Sequence, residues 1–228
     1  MPVAGRAKRR AARRRAPARR GAAGRSPGPL LRYAAAMTRG REPAARRALA
    51  AARRAGWPRA AAEETALMLM LHAGYPAALE GLRVLNDVWP GRARRSREGG
   101  VPAWRRRGLA LCSRVYGPVL PKLMRSVRAL HPDLAVWMVE QGYGRVLSRP
   151  RMSARLRELA AVAVLAASGW PRQLHSHLLG AVRCGADHAA IRAAFRAGRR
   201  EADPRARAAC DRAWRAAFDS SRGGAGAA

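Results

Sequence analysis

The feature that most constrains this chain is an uncharged apolar stretch at residues 159–167, which Gly169 and Pro171 follow closely. The stretch is much shorter than the about 20 apolar residues that a membrane-spanning helix needs, so the sequence predicts that it is buried within the protein. Elsewhere, apolar residues recur every three or four positions between Gly and Pro breaks, and no long segment alternates between apolar and polar residues. This spacing is typical of helices. We therefore expect an all-α protein without a transmembrane segment.

Gly and Pro residues divide the chain into predicted helices and linkers. Helices are predicted at about 44–55, 59–73, 104–129, 132–147, 153–167 and 171–184, with further helices after Pro76, after Asp187 and from Pro204 to about residue 218. The helix at 59–73 is apolar on nearly every side, which is typical of a central helix. The predicted organisation is a three-helix segment (44–90), a linker (91–103), a second helical segment (104–200), a terminal helix (201–219) and a disordered tail (220–228).

Basic residues, nearly all of them Arg, outnumber acidic ones by 46 to 14 and give the chain a formal net charge of +32. Residues 1–43 contain 13 Lys or Arg and one Glu. Such a segment buries too little apolar surface to offset its conformational entropy, so we predict a disordered basic arm. A large positive charge attracts polyanions without a specific site. Non-specific nucleic-acid binding through the arm is one hypothesis. The other is a solvated tail in a chain with a general bias towards Ala, Arg and Gly.

The three cysteines, Cys112, Cys184 and Cys210, form no CxxC motif, and their odd number argues against a secreted disulfide framework. The N-terminus lacks the apolar segment of a signal peptide, so we expect a cytoplasmic location. Side chains two residues apart diverge on a helix, and His175 and His177 therefore do not form a metal site. Phosphate-binding and GxSxG motifs are absent from the sequence. The sequence thus predicts neither a metal nor a cofactor.

Glu158 and His177 are the candidate catalytic pair. Glu158 lies in the first turn of the predicted helix 153–167, and His177 lies on the inner face of the next helix. An imidazole titrates near neutral pH, and a carboxylate beside it orients the ring or relays a proton. Gln173, four residues before His177, has the spacing to orient the ring as well. The alternative interpretation is a core histidine and an acid that favours a helix N-terminus.

Three segments, together about half the chain, resemble the carboxymuconolactone decarboxylase family, which also contains alkylhydroperoxidase D. Residues 142–169 (GYGRVLSRPRMSARLRELAAVAVLAASG) are similar to the family's WGxVWSRPGL turn and RxRxL helix. Residues 175–195 (HSHLLGAVRCGADHAAIRAAF) are similar to its HxRxALxxG helix and the helix that follows. Residues 63–85 (EETALMLMLHAGYPAALEGLRVL) are similar to its ExLLxxxYAGxPAAxxA pattern. The resemblance implies a helical bundle of the alkylhydroperoxidase D type that assembles into homo-oligomers, either trimers or hexamers.

The resemblance also implies a type of chemistry. In the alkylhydroperoxidase branch, a Glu is followed after eleven residues by CxxC and, after three more, by His. Counting from Glu158, the cysteine positions hold Trp170 and Gln173, whereas the His position holds His177. Peroxide reduction in that branch needs a thiolate and a resolving thiol, so peroxidase chemistry is disfavoured here. The cysteine-less decarboxylase branch implies cofactor-free, lyase-type chemistry on a small carboxylated lactone or keto acid.

Four further residues are candidates for binding the substrate of such an enzyme. Arg149, in the Ser-Arg-Pro turn, suits a substrate carboxylate. Trp170 and Gln173 precede His177 on its helix, and His72 replaces the Tyr of the family's YAGxP pattern. A purely structural role is the alternative for each of the four.

The order of the similar segments differs from that of the family, in which the YAGxPAA half comes last. We therefore expect residues 59–89 to pack directly against helices 153–184, so that the two halves complete one bundle. Residues 177–195 also align with residues 48–66, with Ala48 at the position of His177, which indicates an internal repeat.

Two hypotheses compete with the enzyme. One is a non-catalytic basic helical protein that binds nucleic acid or a protein partner, which the charge and the altered segment order favour. The other, less favoured, is a peroxidase that depends on a single cysteine such as Cys184.

Overall fold

A computed structural model of the protein describes residues 25–96 and 99–219, and every regular element within these ranges is helical. The α-helices are α1 (Gly28–Thr38), α2 (Glu42–Arg54), α3 (Arg59–His72), α4 (Tyr75–Val88), α5 (Gly100–Tyr116), α6 (Leu120–Leu130), α7 (Pro132–Trp137), α8 (Ala154–Ser168), α9 (Pro171–Arg183), α10 (His188–Glu201) and α11 (Pro204–Phe218). A 3₁₀ turn (Gly117–Val119) joins α5 to α6, and a π-helix (Met138–Leu147) continues α7. The expected all-α bundle is confirmed.

Helix α8 is the central helix of the bundle. It begins at Ser153, whose side chain accepts a hydrogen bond from the Leu156 amide, and it ends at Gly169, which has a left-handed φ of 75°. Every residue from Leu156 to Ala167 is buried. Helices α1, α3, α9 and α10 all pack against it. The apolar stretch at 159–167 therefore lies in the protein core, as its length and composition predict.

The prediction of disorder for residues 1–43 is wrong in its C-terminal part. Helix α1 lies within this segment, and its residues from Leu30 to Met37, apart from Arg32, are buried. Because the preceding residues are highly charged, the composition of the whole segment did not reveal a short apolar sequence, LLRYAAAM. This sequence packs against α2, α8 and α10. Residues 1–24 lie outside the described part of the chain, and so does the tail at 220–228. The N-terminal helical segment thus has four helices rather than three.

The linker predicted at 91–103 is also too long, because α5 already begins at Gly100. Pro102 falls in the first turn of α5, where a missing backbone N–H is tolerated. The helix predicted at 104–129 is interrupted, because Gly117 has a φ of 55° and separates α5 from α6.

Two four-helix units have the same helix pattern. We refer to α1–α4 (residues 28–88) as the first unit and to α8–α11 (residues 154–218) as the second unit. Helices α2 and α9 have 13 residues each, and α3 and α10 have 14 each. The intervening loops turn at Gly56 and Gly185, with left-handed φ values of 72° and 83°. Contacts between the units are reciprocal, because α8 packs on α3 and α1 packs on α10. The internal repeat seen in the sequence is therefore a repeat of structure.

Of the residues 59–89 expected to pack on helices 153–184, those of α3 pack against α8, whereas α4 packs on α1, α2 and α3. A buried ion cluster joins α3 and α8. The Glu64 carboxylate of α3 lies 3.0 Å from Nη2 of Arg157 on α8 and 2.9 Å from Nε of Arg149 in the turn before α8. Arg157 also donates a hydrogen bond to the Arg149 carbonyl oxygen at 2.8 Å. Glu64 and Arg157 are each only 1% exposed, so this cluster fixes the first unit on the second.

The middle segment, α5–α7 and the π-helix, packs on the second unit through α5 and α9. The α5 backbone crosses the π-helix closely, because glycines stand at the crossing on both sides. A Cβ atom at Gly108 would overlap the carbonyl oxygen of Val139, and one at Gly144 would overlap that of Trp104. This close approach holds the π-helix against α5, which itself packs on α9.

We expect Glu64→Gln to destabilise the protein by about 3–5 kcal/mol, because the substitution leaves two guanidinium groups near an uncharged amide in a buried site. The free energy of unfolding from urea denaturation measures this. Glu80→Gln is the matched control: Glu80 pairs with Arg83 at the surface with 56% of its side chain exposed, and loss of such a pair costs about 1 kcal/mol or less. Equal effects of the two substitutions would contradict the structural role of the cluster.

Candidate active site

Glu158 and His177 lie side by side in the core of the second unit. Oε2 of Glu158, on α8, is 2.9 Å from Nδ1 of His177, on α9. The two residues are 2% and 6% exposed. Gly180 permits this arrangement, because a Cβ atom at that position would lie 2.5 Å from the same carboxylate oxygen. The expected pair is therefore formed, with both members enclosed by protein.

The hydrogen bond determines which imidazole nitrogen is available for chemistry. A carboxylate only accepts hydrogen bonds, so the ionised form of Glu158 requires a proton on Nδ1 of His177. The lone pair of the neutral ring is then on Nε2. A carboxylate in this position also stabilises the imidazolium that forms when Nε2 takes a proton. The arrangement has the orientation that a general base needs.

His72, at the last position of α3, brings a second imidazole from the first unit to the pair. Its ring meets the His177 ring edge-on, with the centroids 5.5 Å apart. The side chain is half-buried, but its Nε2 atom is buried and has no hydrogen-bond partner in the described part of the chain. Burial, with a smaller contribution from His177, lowers the pKa of His72 to about 3. This second ring is therefore neutral at physiological pH.

Two tyrosines from the middle segment lie near the Glu158 carboxylate. The hydroxyl groups of Tyr143, on the π-helix, and Tyr116, at the end of α5, are 2.6 Å apart. Burial raises the pKa of Tyr116 to about 12, and Glu158 contributes to the increase. Burial also raises the pKa of Tyr143, with contributions from the neighbouring Tyr116 and Glu158. Both phenols stay protonated and act as neutral hydrogen-bonding groups.

The three thiols are poor nucleophiles. Burial raises the pKa of Cys112 to about 12 and that of Cys184 to about 11, and the Glu158 carboxylate adds to both increases. Burial, with Asp211, also raises the pKa of Cys210 to about 11. Because the thiolate is the reactive form, a raised pKa keeps these cysteines inert near neutral pH.

The other predicted site residues lie in different surroundings. Arg149 binds Glu64 and donates a hydrogen bond to Ser96 at 3.0 Å, so at least part of its guanidinium group serves the ion cluster. Trp170 is 58% exposed, and Gln173 is also exposed. The prediction that Gln173 orients the imidazole is wrong, because Glu158 holds Nδ1 and Gln173 points to solvent at the outer end of α9.

Three residues of the site were not predicted from the sequence: Tyr116, Tyr143 and Gly180. The two tyrosines lie on elements far from Glu158 along the chain, and their hydroxyl contact depends on the crossing of α5 and the π-helix. Gly180 could have been recognised from the sequence. A glycine in the middle of a helix lowers stability, and its presence there indicates a close contact with another group.

Within residues 25–96 and 99–219, no group of three or more His, Cys, Asp or Glu side chains has an arrangement that suits a metal ion. No helix in these ranges combines the length and the apolar character that crossing a membrane requires.

We expect His72 to make the protein less stable as the pH falls from 6.5 towards 3. Its pKa is lower in the folded protein than the ordinary value of 6.5, so the unfolded chain binds the extra proton in this window. Stability therefore falls with decreasing pH, by up to about 1.4 kcal/mol per unit from this residue. Urea denaturation of the wild type and of His72→Gln between pH 5 and 7 tests this. An equal pH dependence for the two proteins would contradict it.

Comparison with known proteins identifies one family. The model of the carboxymuconolactone decarboxylase family matches residues 132–214, from the start of α7 into α11. A search of curated proteins finds no match. The matched segment includes the whole of α8, α9 and α10 and both members of the Glu158–His177 pair, in agreement with the resemblance of the sequence motifs. Residues 132–214 of this chain are therefore similar to the carboxymuconolactone decarboxylase family.

Proposed function

We propose that the protein catalyses cofactor-independent acid/base chemistry of the lyase type on a small carboxylated lactone or keto acid. The observation that carries this proposal is the buried hydrogen bond between Oε2 of Glu158 and Nδ1 of His177. A carboxylate and an imidazole in contact within a mostly apolar environment are the minimum that proton transfer needs. The family of the second unit agrees with this chemistry at the coarse level.

His177 is the proposed proton carrier. In a decarboxylation, the bond between the carboxylate carbon and the adjacent carbon breaks, CO₂ leaves, and the electron pair is delocalised into a neighbouring carbonyl group as an enolate. His177 in its imidazolium form then donates the Nε2 proton to the carbon, and a proton from solvent restores it. Glu158 stabilises the imidazolium through Nδ1–H. In an isomerisation, neutral His177 first removes a proton and then returns it.

His72 is proposed to help bind the substrate. Because its ring is neutral, it does not repel the imidazolium of His177 as a second cation would. Its Nε2 atom is a buried polar group without a partner in the described residues, and such a group gains free energy when a ligand supplies the missing hydrogen bond. An enolate or carbonyl oxygen of the substrate is a suitable partner for an N–H at this position.

Arg149 remains the proposed carboxylate ligand from the sequence analysis. It is already held by Glu64, and this contact fixes the direction of the guanidinium group rather than leaving it to move. Trp170 and Gln173, exposed at the start of α9, are proposed to contact the part of a substrate that extends towards solvent.

The raised pKa values of the three cysteines weigh against a thiol-dependent peroxidase.

We also propose a cytoplasmic homo-oligomer, trimeric or hexameric. Large apolar side chains are exposed on α6, α7 and the loop between α6 and α5, including Val119, Leu130, Val136 and Trp137. The apolar residues of α3, in contrast, do not form a contact surface between subunits, because most of them are buried in the core of the chain.

A second candidate function is non-catalytic binding of polyanions, and the surface of α5 and α6 favours it. Six basic residues are exposed there: Arg105, Arg106, Arg114, Lys122, Arg125 and Arg128. Residues 99–132 contain no acidic residue that would offset them. If this surface binds nucleic acid, the affinity for random duplex DNA falls steeply with salt, and the combined substitution of Lys122, Arg125 and Arg128 by Gln reduces the slope of log K against log[salt] by about 3. An unchanged slope would assign the binding to other residues.

For the proposed enzyme, we expect His177→Asn to lower kcat/KM by about 10²–10⁴-fold, because the proton carrier is lost. The measurement is a screen of lactones and keto acids that follows CO₂ release and exchange of substrate protons with deuterated water. His175→Asn is the matched control, since it is the same change two residues earlier on α9, at a side chain that does not contact Glu158. Equal turnover by wild type and His177→Asn would remove His177 from the mechanism.

A further inference from the structure

Helix α6 is an amphipathic helix that the rest of the chain covers only on one side. It packs on α7, α5 and the 3₁₀ turn, and none of its residues is buried. Half-buried apolar residues recur along it every three or four positions: Leu120, Leu123, Met124 and Val127. The exposed residues of its opposite side include all of its basic ones: Lys122, Arg125 and Arg128. The outer side of α6 is therefore a basic surface that faces solvent.

Large apolar side chains are exposed beside these basic residues. Five of them lie within residues 119–137, with exposed fractions from 45% to 79%: Val119, Leu130, Leu134, Val136 and Trp137. Trp137, 58% exposed, lies two residues after the buried Ala135 on α7, so its side chain points away from the core. Such a concentration of exposed apolar groups indicates an interaction site. We call the exposed side chains of residues 119–137 the α6–α7 surface.

The shape of this region indicates a broad partner rather than a small ligand. A hollow between α5, α6 and α7 is lined by Arg105 and Leu109 from α5, Arg128 from α6 and Val136 from α7, with Glu140 from the π-helix. Its volume is about 130 Å³, whereas pockets for small molecules have about 300–1,000 Å³. The hollow therefore extends the exposed apolar and basic side chains onto α5 without forming a pocket that could enclose a ligand.

The charge of this region indicates an anionic partner. Residues 99–132 contain no acidic residue, and the carboxylates nearest to them along the chain are Asp133 and Glu140. In a two-fold contact with a second copy, the basic residues of the two α6 helices would lie close to each other, and like charges at an interface are unfavourable. An anionic partner would instead complement them.

The exposed apolar residues distinguish between two kinds of anionic partner. The exterior of a nucleic-acid duplex consists of phosphates and sugars, so it has little to offer the side chains of Leu130, Leu134 and Trp137. A lipid bilayer combines anionic headgroups with hydrocarbon, and Trp is common at the boundary between them. Exposed Trp and Leu beside a basic helix therefore favour a bilayer.

We propose that the α6–α7 surface binds the surface of an anionic lipid bilayer. Leu130, Leu134 and Trp137 enter the headgroup region, and the basic residues of α6 pair with lipid phosphates. Such peripheral binding needs no membrane-spanning helix. The proposal goes beyond the proposed function and does not depend on it. It leaves contacts between subunits to other exposed apolar residues, such as Tyr75 and Leu79 on α4, which are 65% and 63% exposed.

Co-sedimentation of the full-length protein with lipid vesicles at physiological salt tests the proposal. The vesicles contain equal parts of phosphatidylglycerol and phosphatidylcholine, and pure phosphatidylcholine vesicles are the uncharged comparison. We expect binding to the anionic vesicles and much weaker binding to the uncharged ones. Trp137→Gln is expected to weaken the binding about tenfold, because a large aromatic group no longer leaves water. Trp170→Gln is the matched control, since Trp170 is equally exposed, at 58%, but lies at the start of α9. It should leave the affinity for vesicles unchanged.

The basic residues of α6 are tested in the same way. Arg125→Gln combined with Arg128→Gln is expected to weaken binding to the anionic vesicles about 20-fold, because each basic residue near an anionic bilayer contributes about fivefold. The combination of Arg192→Gln and Arg196→Gln removes two exposed charges from α10 and should have a much smaller effect. Thermal melts identify any variant that fails to fold, and Leu130→Gln, at a side chain that is 79% exposed, then provides an independent test of the apolar contact.

Four results would overturn the proposal. The first is a lack of binding to anionic vesicles by the wild type. The second is an equal effect of Trp137→Gln and Trp170→Gln, which would show that the attraction comes from the overall charge of the chain. The third is dissociation of an oligomer by Trp137→Gln in analytical ultracentrifugation, which would assign the surface to a second copy. The fourth is tighter binding to random duplex DNA than to vesicles, with the loss of Arg125 and Arg128 weakening it, which would assign the surface to nucleic acid.

Discussion

The interaction on which the molecule depends is the contact of Glu64 with Arg157 and Arg149. These groups come from α3, α8 and the turn before α8, so a single carboxylate joins two distant segments of the chain. A buried ion cluster contributes little stability compared with apolar packing of the same volume, but it penalises every arrangement that separates its members. In this protein, the cluster disfavours any arrangement in which the first unit separates from the second. Because His72 is the last residue of α3, the position of the second imidazole follows from the same contact.

Some features of the structure could be predicted from the sequence because they depend on neighbouring residues. The capping of α8 by Ser153 and its end at Gly169 follow local rules for helix ends. The burial of the apolar stretch at 159–167 could be predicted from its composition alone. The juxtaposition of Glu158 and His177 follows from a short connection between two helices whose inner faces are recognisable. Each of these features lies within a segment of no more than 20 residues, the length from Glu158 to His177.

Other features depend on contacts between distant segments, and sequence reasoning did not find them. Arg149 seemed suited to a ligand, but its most direct partner is Glu64, which is distant along the chain. The tyrosine pair requires the crossing of α5 and the π-helix, and no local pattern indicates that Tyr116 and Tyr143 meet there. Helix α1 was missed for a different reason. Averaging the composition over a long basic segment concealed a few apolar residues that become stable as a helix only against α8 and α10.

The duplication gives the protein one candidate site instead of two. The first unit has Ala48 at the position where the second has His177, so the repeat has kept its helices while the imidazole is found in one copy. The first unit supplies His72 to the remaining site instead. The two units are therefore equivalent in architecture and different in chemistry.

The connection between α8 and α9 consists of only two residues, Gly169 and Trp170. The carboxylate and the imidazole are therefore brought together by a local hairpin of low contact order, whereas the groups that enclose them come from distant segments that close long loops. We therefore expect the pair to form in one step of folding and to be removed from water in another. A nascent chain can form the acid/base contact while the ring is still hydrated, and the special environment of His177 arises only when α3 and α5 have docked.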